Sequence, residues 1–122
     1  MSSVLDSSAV LAWLQDEAGA EVVDPLLEGG VMSASNWAEV LQKVMAKDAD
    51  AEATAADLLA LGLTVEPVTE DDGLAVARWW TTDNHLSLGD RCCLALADRL
   101  AGQAVTADGS WAQLPASILL IR

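Results

Sequence analysis

The chain has 122 residues, room for one compact domain and not for two, so residues 1–122 are expected to form a single unit. Apolar residues make up 52%, which excludes general disorder, and a net charge of −13 excludes a plain basic nucleic-acid binder or a polybasic membrane-surface protein. No apolar run nears the roughly 18 residues that span a bilayer, and Met1-Ser2-Ser3-Val4 carries no basic leader.

Taken in chain order, short apolar stretches alternate with helical ones. Val4-Leu5 is a strand candidate that runs through the helix starters Asp6, Ser7 and Ser8 into Ala9–Leu14, apolar on every face and so expected to be a helix buried all round. Ala20–Leu27 is a second helical stretch, closed by Glu28-Gly29-Gly30, and Val31-Met32 a brief strand. Trp37–Lys47 is the clearest amphipathic helix, with Trp37, Val40, Leu41, Val44 and Met45 on one face and Glu39, Gln42, Lys43 and Ala46 on the other.

Asp50–Leu61 is rich in Ala and Leu and predicts a helix capped by Gly62, and Leu63–Val68 follows as a strand. Thr69 opens a helix through Thr82, with Thr69-x-x-Asp72 in capping-box spacing. Ser87–Leu100 is the next helix, ended by Ala101-Gly102, where Gly102 is expected to play the part of Gly62. Ala104–Ala107 and Ile118–Ile121 complete the strands. Strands separated by helices with short joins predict an α/β fold, a parallel sheet of about five strands with helices on both faces.

Ligands bind such sheets beyond the carboxyl ends of the strands. Asp6 follows the first strand and Asp108 the Ala104–Ala107 strand, Asp90 begins the helix leading into that strand, and Glu39 lies on the polar side of its own helix. Each acid also has a local explanation. Asp6 is placed to cap a helix, Asn36-x-x-Glu39 and Ser87-x-x-Asp90 have capping-box spacing, Lys43 stands one turn from Glu39, and Asp108 precedes Gly109 as turn residues do. Capping, however, does not require acids after two separate strands of one sheet. Four carboxylates brought together repel one another, and a hard divalent cation relieves that repulsion while needing neither His nor Cys. Such a site suits metal-assisted phosphodiester hydrolysis.

Val4-Leu5-Asp6-Ser7-Ser8-Ala9-Val10-Leu11-Ala12 resembles the opening of PIN-domain ribonucleases. Asn36-Trp37-Ala38-Glu39-Val40 resembles their second acidic motif, Leu86 to Ala97 the third, and Val105-Thr106-Ala107-Asp108-Gly109-Ser110-Trp111 the fourth. The nearest subgroup in pattern is the VapC-type toxins of bacterial toxin–antitoxin pairs, and the likeness runs in order over the whole chain. The resemblance implies a five-stranded parallel sheet and an endoribonuclease that uses Mg²⁺ or Mn²⁺, forms a homodimer and is silenced by a VapB-type antitoxin with a basic tail. By position, Asp6, Glu39, Asp90 and Asp108 are then the catalytic acids, with Asp6, Asp90 and Asp108 as metal ligands and Glu39 orienting or deprotonating the attacking water. Thr106 and Ser7 are supporting residues, and Arg91 is the candidate RNA contact.

A charge of −13 repels an RNA backbone and suits a basic partner, which leaves Arg78, Arg91 and Arg99 as the groove candidates; beside Asp90, Arg91 is equally a candidate for an ion pair. His85 reads as an exposed loop residue, and Trp13, Trp37 and Trp111 as packing. Trp79 and Trp80 cannot both point inward from one helix, so one of them is a candidate partner surface. Cys92 and Cys93 are adjacent, bridge only with strain and have no positive neighbourhood, so they read as reduced helix packers in a cytoplasmic protein. The sequence has no G-x-G-x-x-G and no P-loop, so nucleotide folds lose their phosphate cradle. The competing reading is a non-catalytic acidic α/β module that binds metal or a basic protein.

Overall fold

Parallel pairing decides the architecture. In the computed structural model, which describes residues 1–122, strands β1 (Ser3–Leu5), β2 (Val31–Ser33), β3 (Thr64–Glu66), β4 (Gln103–Thr106) and β5 (Ile118–Leu120) form one sheet in the order β3-β2-β1-β4-β5. Every pair is parallel, with Val4 opposite Val31 and Ala104, and Val105 opposite Leu119. The chain first builds outward from β1 to β2 and β3, then returns to lay β4 on the other side of β1. The sheet therefore has its topological switch point between β1 and β4, where ligands of open α/β sheets bind.

Six helices cover the sheet: α1 (Ser7–Leu14), α2 (Ala20–Val23), α3 (Ala34–Ala46), α4 (Ala51–Ala60), α5 (Glu70–Arg78) and α6 (Leu88–Arg99). None is long and apolar enough to cross a membrane. Side chains alternate across the strands, as the pleat requires. Leu5, Met32 and Val105 pack with Ala9, Val10, Val40 and Leu58 of α1, α3 and α4 on one face. Val4 and Ala104 pack with Cys93, Leu94, Ala97 and Trp111 on the other, and Val76, Cys92 and Ala95 join α5 to α6. The α/β class, the parallel sheet and helices on both faces follow as the sequence predicts.

The differences lie at element ends. The helix expected over Trp37–Lys47 begins at Ala34, because Ser33 closes β2 and caps α3 at once, its hydroxyl accepting from Ser35 N–H at 3.3 Å. Met45, placed on the apolar face by periodicity, is exposed. Pro25 stands where the Ala20–Leu27 stretch tightens into a 3-10 turn at Asp24–Leu26, and β3 ends before Pro67, which has no N–H for the ladder. The helix opened by Thr69 keeps its capping box but stops at Arg78, not Thr82, because Asn84 Nδ2 donates to the Trp79 carbonyl at 2.7 Å and takes the acceptor a further turn would use. After α6 the left-handed residue is Ala101 (φ 50°) and not Gly102; a Cβ at Gly102 would sit 2.6 Å from the Ser2 carbonyl oxygen, so close approach fixes glycine there. Gly62 (φ 103°) does end α4 as expected.

Candidate functional site

Asp6 occupies the N-cap position of α1, yet its carboxylate makes no capping bond. It turns inward and is 3% exposed. Oδ2 accepts from Ser8 Oγ at 2.6 Å and from Thr106 Oγ1 at 3.0 Å. The two hydroxyls are themselves 3.2 Å apart, and each takes a backbone N–H: Ala107 N–H donates to Ser8 and Asp108 N–H to Thr106. Ala107 is thereby drawn out of the sheet, so β4 ends at Thr106 and not at Ala107. The other oxygen, Oδ1, is buried without any hydrogen-bond partner. Burial is the largest cause that pushes the Asp6 carboxyl up from 3.8 to about 6; the charges of Asp90 and Glu39 push the same way, and the Ser8 and Thr106 hydroxyls oppose them.

Glu39 comes from the first turns of α3, after the strand beside β1. Oε1 accepts from Asn36 Nδ2 at 2.9 Å and from Ser7 Oγ at 3.4 Å. The Asn36-x-x-Glu39 spacing is therefore not a capping box; Asn36 lies inside the helix and is fully buried. Asp90 does close one with Ser87, whose N–H donates to Oδ2 at 2.9 Å while Asp90 N–H donates to Ser87 Oγ at 3.1 Å. Asp108 is exposed and caps the 3-10 turn Gly109–Gln113, its Oδ1 accepting from Ser110 N–H at 3.0 Å and Ser110 Oγ at 2.7 Å.

Glu39 and Asp90 thus both act electrostatically on Asp6 at the end of β1, and Asp108 reaches Asp6 through its backbone N–H and the Thr106 hydroxyl. No three Asp, Glu, His or Cys side chains stand close enough to hold a metal ion in direct contact. The donor chemistry nonetheless fits a hard cation. On each of the four acids the accepted hydrogen bonds fall on one oxygen, which orients the carboxylate and leaves the second oxygen to a ligand. On Asp6 that second oxygen is the buried, unpartnered Oδ1.

Of the supporting residues, Thr106 holds Asp6 and Ser7 touches Glu39. Three participants escape sequence reasoning: Ser8, Asn36 and Gly89. Only Ser8 had a legible signal, two residues after Asp6 in the first turn of α1. Arg91 makes no ion pair with Asp90; its Nη1 lies 3.4 Å from the Val76 carbonyl near the end of α5. Arg99 pairs with Glu66 and Asp72, which leaves Arg78 exposed.

The sequence matches the PIN domain family over residues 3–116. The chain belongs to the PIN domain family. Solved structures share the PIN fold at low sequence identity. A toxin–antitoxin complex from Klebsiella pneumoniae aligns with a TM-score of 0.80 at 15% identity, covering 99% of this chain and 98% of that one. VapC20 of Mycobacterium tuberculosis, a toxin that cleaves the sarcin–ricin loop, aligns at 0.77 and 19% identity over 94% and 96%. VapBC-1 from nontypeable Haemophilus influenzae aligns at 0.73 and 20% over 99% and 98%. No curated protein matches the sequence.

Proposed function

We propose that this PIN-domain protein is a metal-dependent endoribonuclease toxin of the VapC type. One observation carries the reading: Asp6 Oδ1 is buried and unpartnered beside two further acids at the switch point of a parallel sheet. A fold without a ligand there would gain by replacing Asp6 with an apolar residue or by giving Oδ1 a donor. A divalent cation, Mg²⁺ with Mn²⁺ as substitute, would be held by Asp6, Asp90 and Asp108 and would polarise a phosphodiester and acidify a water molecule. The chain's own residues divide the remaining work. Ser8 and Thr106 fix the Asp6 carboxylate, Ser87 fixes Asp90, and Glu39 presents the oxygen that neither Asn36 nor Ser7 occupies to orient or deprotonate the water.

The partners follow from charge. At −13 the chain attracts a basic segment and repels bulk RNA, so we assign it a VapB-type antitoxin with a basic tail and a selective RNA substrate. The fold neighbours described as toxin–antitoxin and VapBC complexes support the antitoxin. A homodimer is part of the proposal, with Trp80, 58% exposed, as a candidate contact. The local caps of Asp90 and Asp108 favour the second reading, an acidic module that binds cations or a basic protein and cleaves nothing. Cleavage of a structured RNA panel with Mn²⁺, with chelator, and by Asp6→Asn separates the two. Cleavage abolished by chelator and by the substitution supports the nuclease; cleavage that survives either one defeats it, and no cleavage with Mn²⁺ bound leaves the module.

A further inference from the structure

Two residues break the ordinary rules of stability, and both breaks point at the same carboxylate. Asn36 is fully buried in α3, a position where an apolar side chain would pack without loose ends. Its Oδ1 is buried with no partner, while Nδ2 donates twice, to Glu39 Oε1 at 2.9 Å and to the Gly89 carbonyl at 3.0 Å. The orientation of this amide is forced, because turning it over would set an oxygen against two acceptors. Gly89 sits in the first turn of α6, where glycine is a poor helix former. A Cβ there would lie 2.5 Å from Glu39 Oε1, 2.9 Å from its Cδ and 3.1 Å from Oε2, so an alanine would displace the carboxylate.

We propose that Asn36 and Gly89 form a clamp that positions Glu39: the amide ties its Oε1 to the first turn of α6, and the missing side chain lets the carboxylate lie against that turn. Neither residue touches substrate, so both are positioning residues. The clamp couples two elements that each carry an acid, Glu39 on α3 and Asp90 one residue beyond Gly89. With Oε1 committed to Asn36 and Ser7, Oε2 is the oxygen left for chemistry, held in register with Asp90. The catalytic part of this assignment rests on the nuclease reading; the clamp itself does not.

The test compares wild type, Gly89→Ala and Asn36→Leu in four measurements: metal-free Tm, the Mn²⁺ concentration that gives half the thermal shift, kcat and KM on a cleaved RNA, and the metal-free crystal structure of Gly89→Ala. We expect Gly89→Ala to keep or raise the metal-free Tm, because alanine favours the helix. Its kcat is expected to fall at least about tenfold with KM changed less than about twofold, since a displacement near 1 Å can cost up to about 10²-fold. Asn36→Leu should show the same split without loss of Tm. A role confined to packing would lower Tm and leave kcat per folded molecule unchanged, and that outcome overturns the assignment, as does Gly89→Ala with wild-type kcat and Mn²⁺ midpoint. If wild-type protein cleaves nothing, the nuclease reading fails, and the metal-free crystal structure decides the clamp: a Glu39 carboxylate moved away from residue 89 supports it, and an unmoved one refutes it.

Discussion

Asp6 and Asp108 follow neighbouring parallel strands of one sheet, and the fold treats them in opposite ways. Asp108 caps the turn that begins beside it and stays in water. Asp6 stands at a cap position, declines the cap, and is buried among hydroxyls with one oxygen bare. The contrast shows that position after a strand does not define a loaded carboxylate. Local donors do: Ser110 N–H and Oγ lie within reach of Asp108 and satisfy it, whereas Ser8 and Thr106 hold only one side of Asp6. Burial of a charge with unmet hydrogen-bonding capacity costs free energy, and the cation of the proposed reading would repay it.

The largest effect should come from the buried acid. Asp6→Asn is expected to lower cleavage by at least about 10²-fold, the scale of losing a preorganised charge at a reacting centre. Asp108→Asn should leave Tm unchanged, because Asn caps as well as Asp does, and should lower cleavage by a smaller factor than Asp6→Asn. Equal losses of cleavage at the two positions would erase the contrast between the two acids.

The next effect is on stability. A carboxyl raised from 3.8 to about 6 binds its proton more tightly in the folded chain than in the unfolded one. The folded state gains from this below pH 4 and loses the gain as pH rises through 6, by about 3 kcal/mol in all. Metal-free Asp6→Asn at pH 7.5 is therefore expected to melt about 12 °C above wild type. A parallel Tm–pH curve for the two proteins between pH 4 and 7 would contradict the assignment.

On the proposed reading, cation binding competes with the same proton. Mn²⁺ affinity is expected to fall about tenfold for each pH unit below 6 and to level off above it. The smallest effect sharpens the role of Ser8. Ser8→Ala removes a donor that lowers the Asp6 pKa, so the acid limb of the pH–rate profile should move to higher pH. A limb that moves down, or not at all, would show that the hydroxyl does not set that proton's affinity.

The fold was legible in the alternation of short apolar stretches with helical ones, because parallel strands buried on both faces leave few other ways to cover a sheet. Asp6, Glu39, Asp90 and Asp108 were legible as acids in motif context. What each carboxylate does was not, because Asp6 and Asp108 both precede a helical turn and only three-dimensional packing decides which one caps it. The capping-box spacing of Asn36-x-x-Glu39 does not mark the start of α3, because Ser33 ends a strand and caps the helix with no loop between them. Gly89 gave no signal at all, since its reason is a side chain from residue 39 pressed against it.

Thermal melting of wild type and Asp6→Asn at pH 7.5, each with and without Mn²⁺, is the most direct trial of the Asp6 site. The account requires wild-type Tm to climb with Mn²⁺, and Asp6→Asn to start higher and stay flat. An Asp6→Asn protein that starts no higher and climbs with Mn²⁺ as wild type does would contradict it.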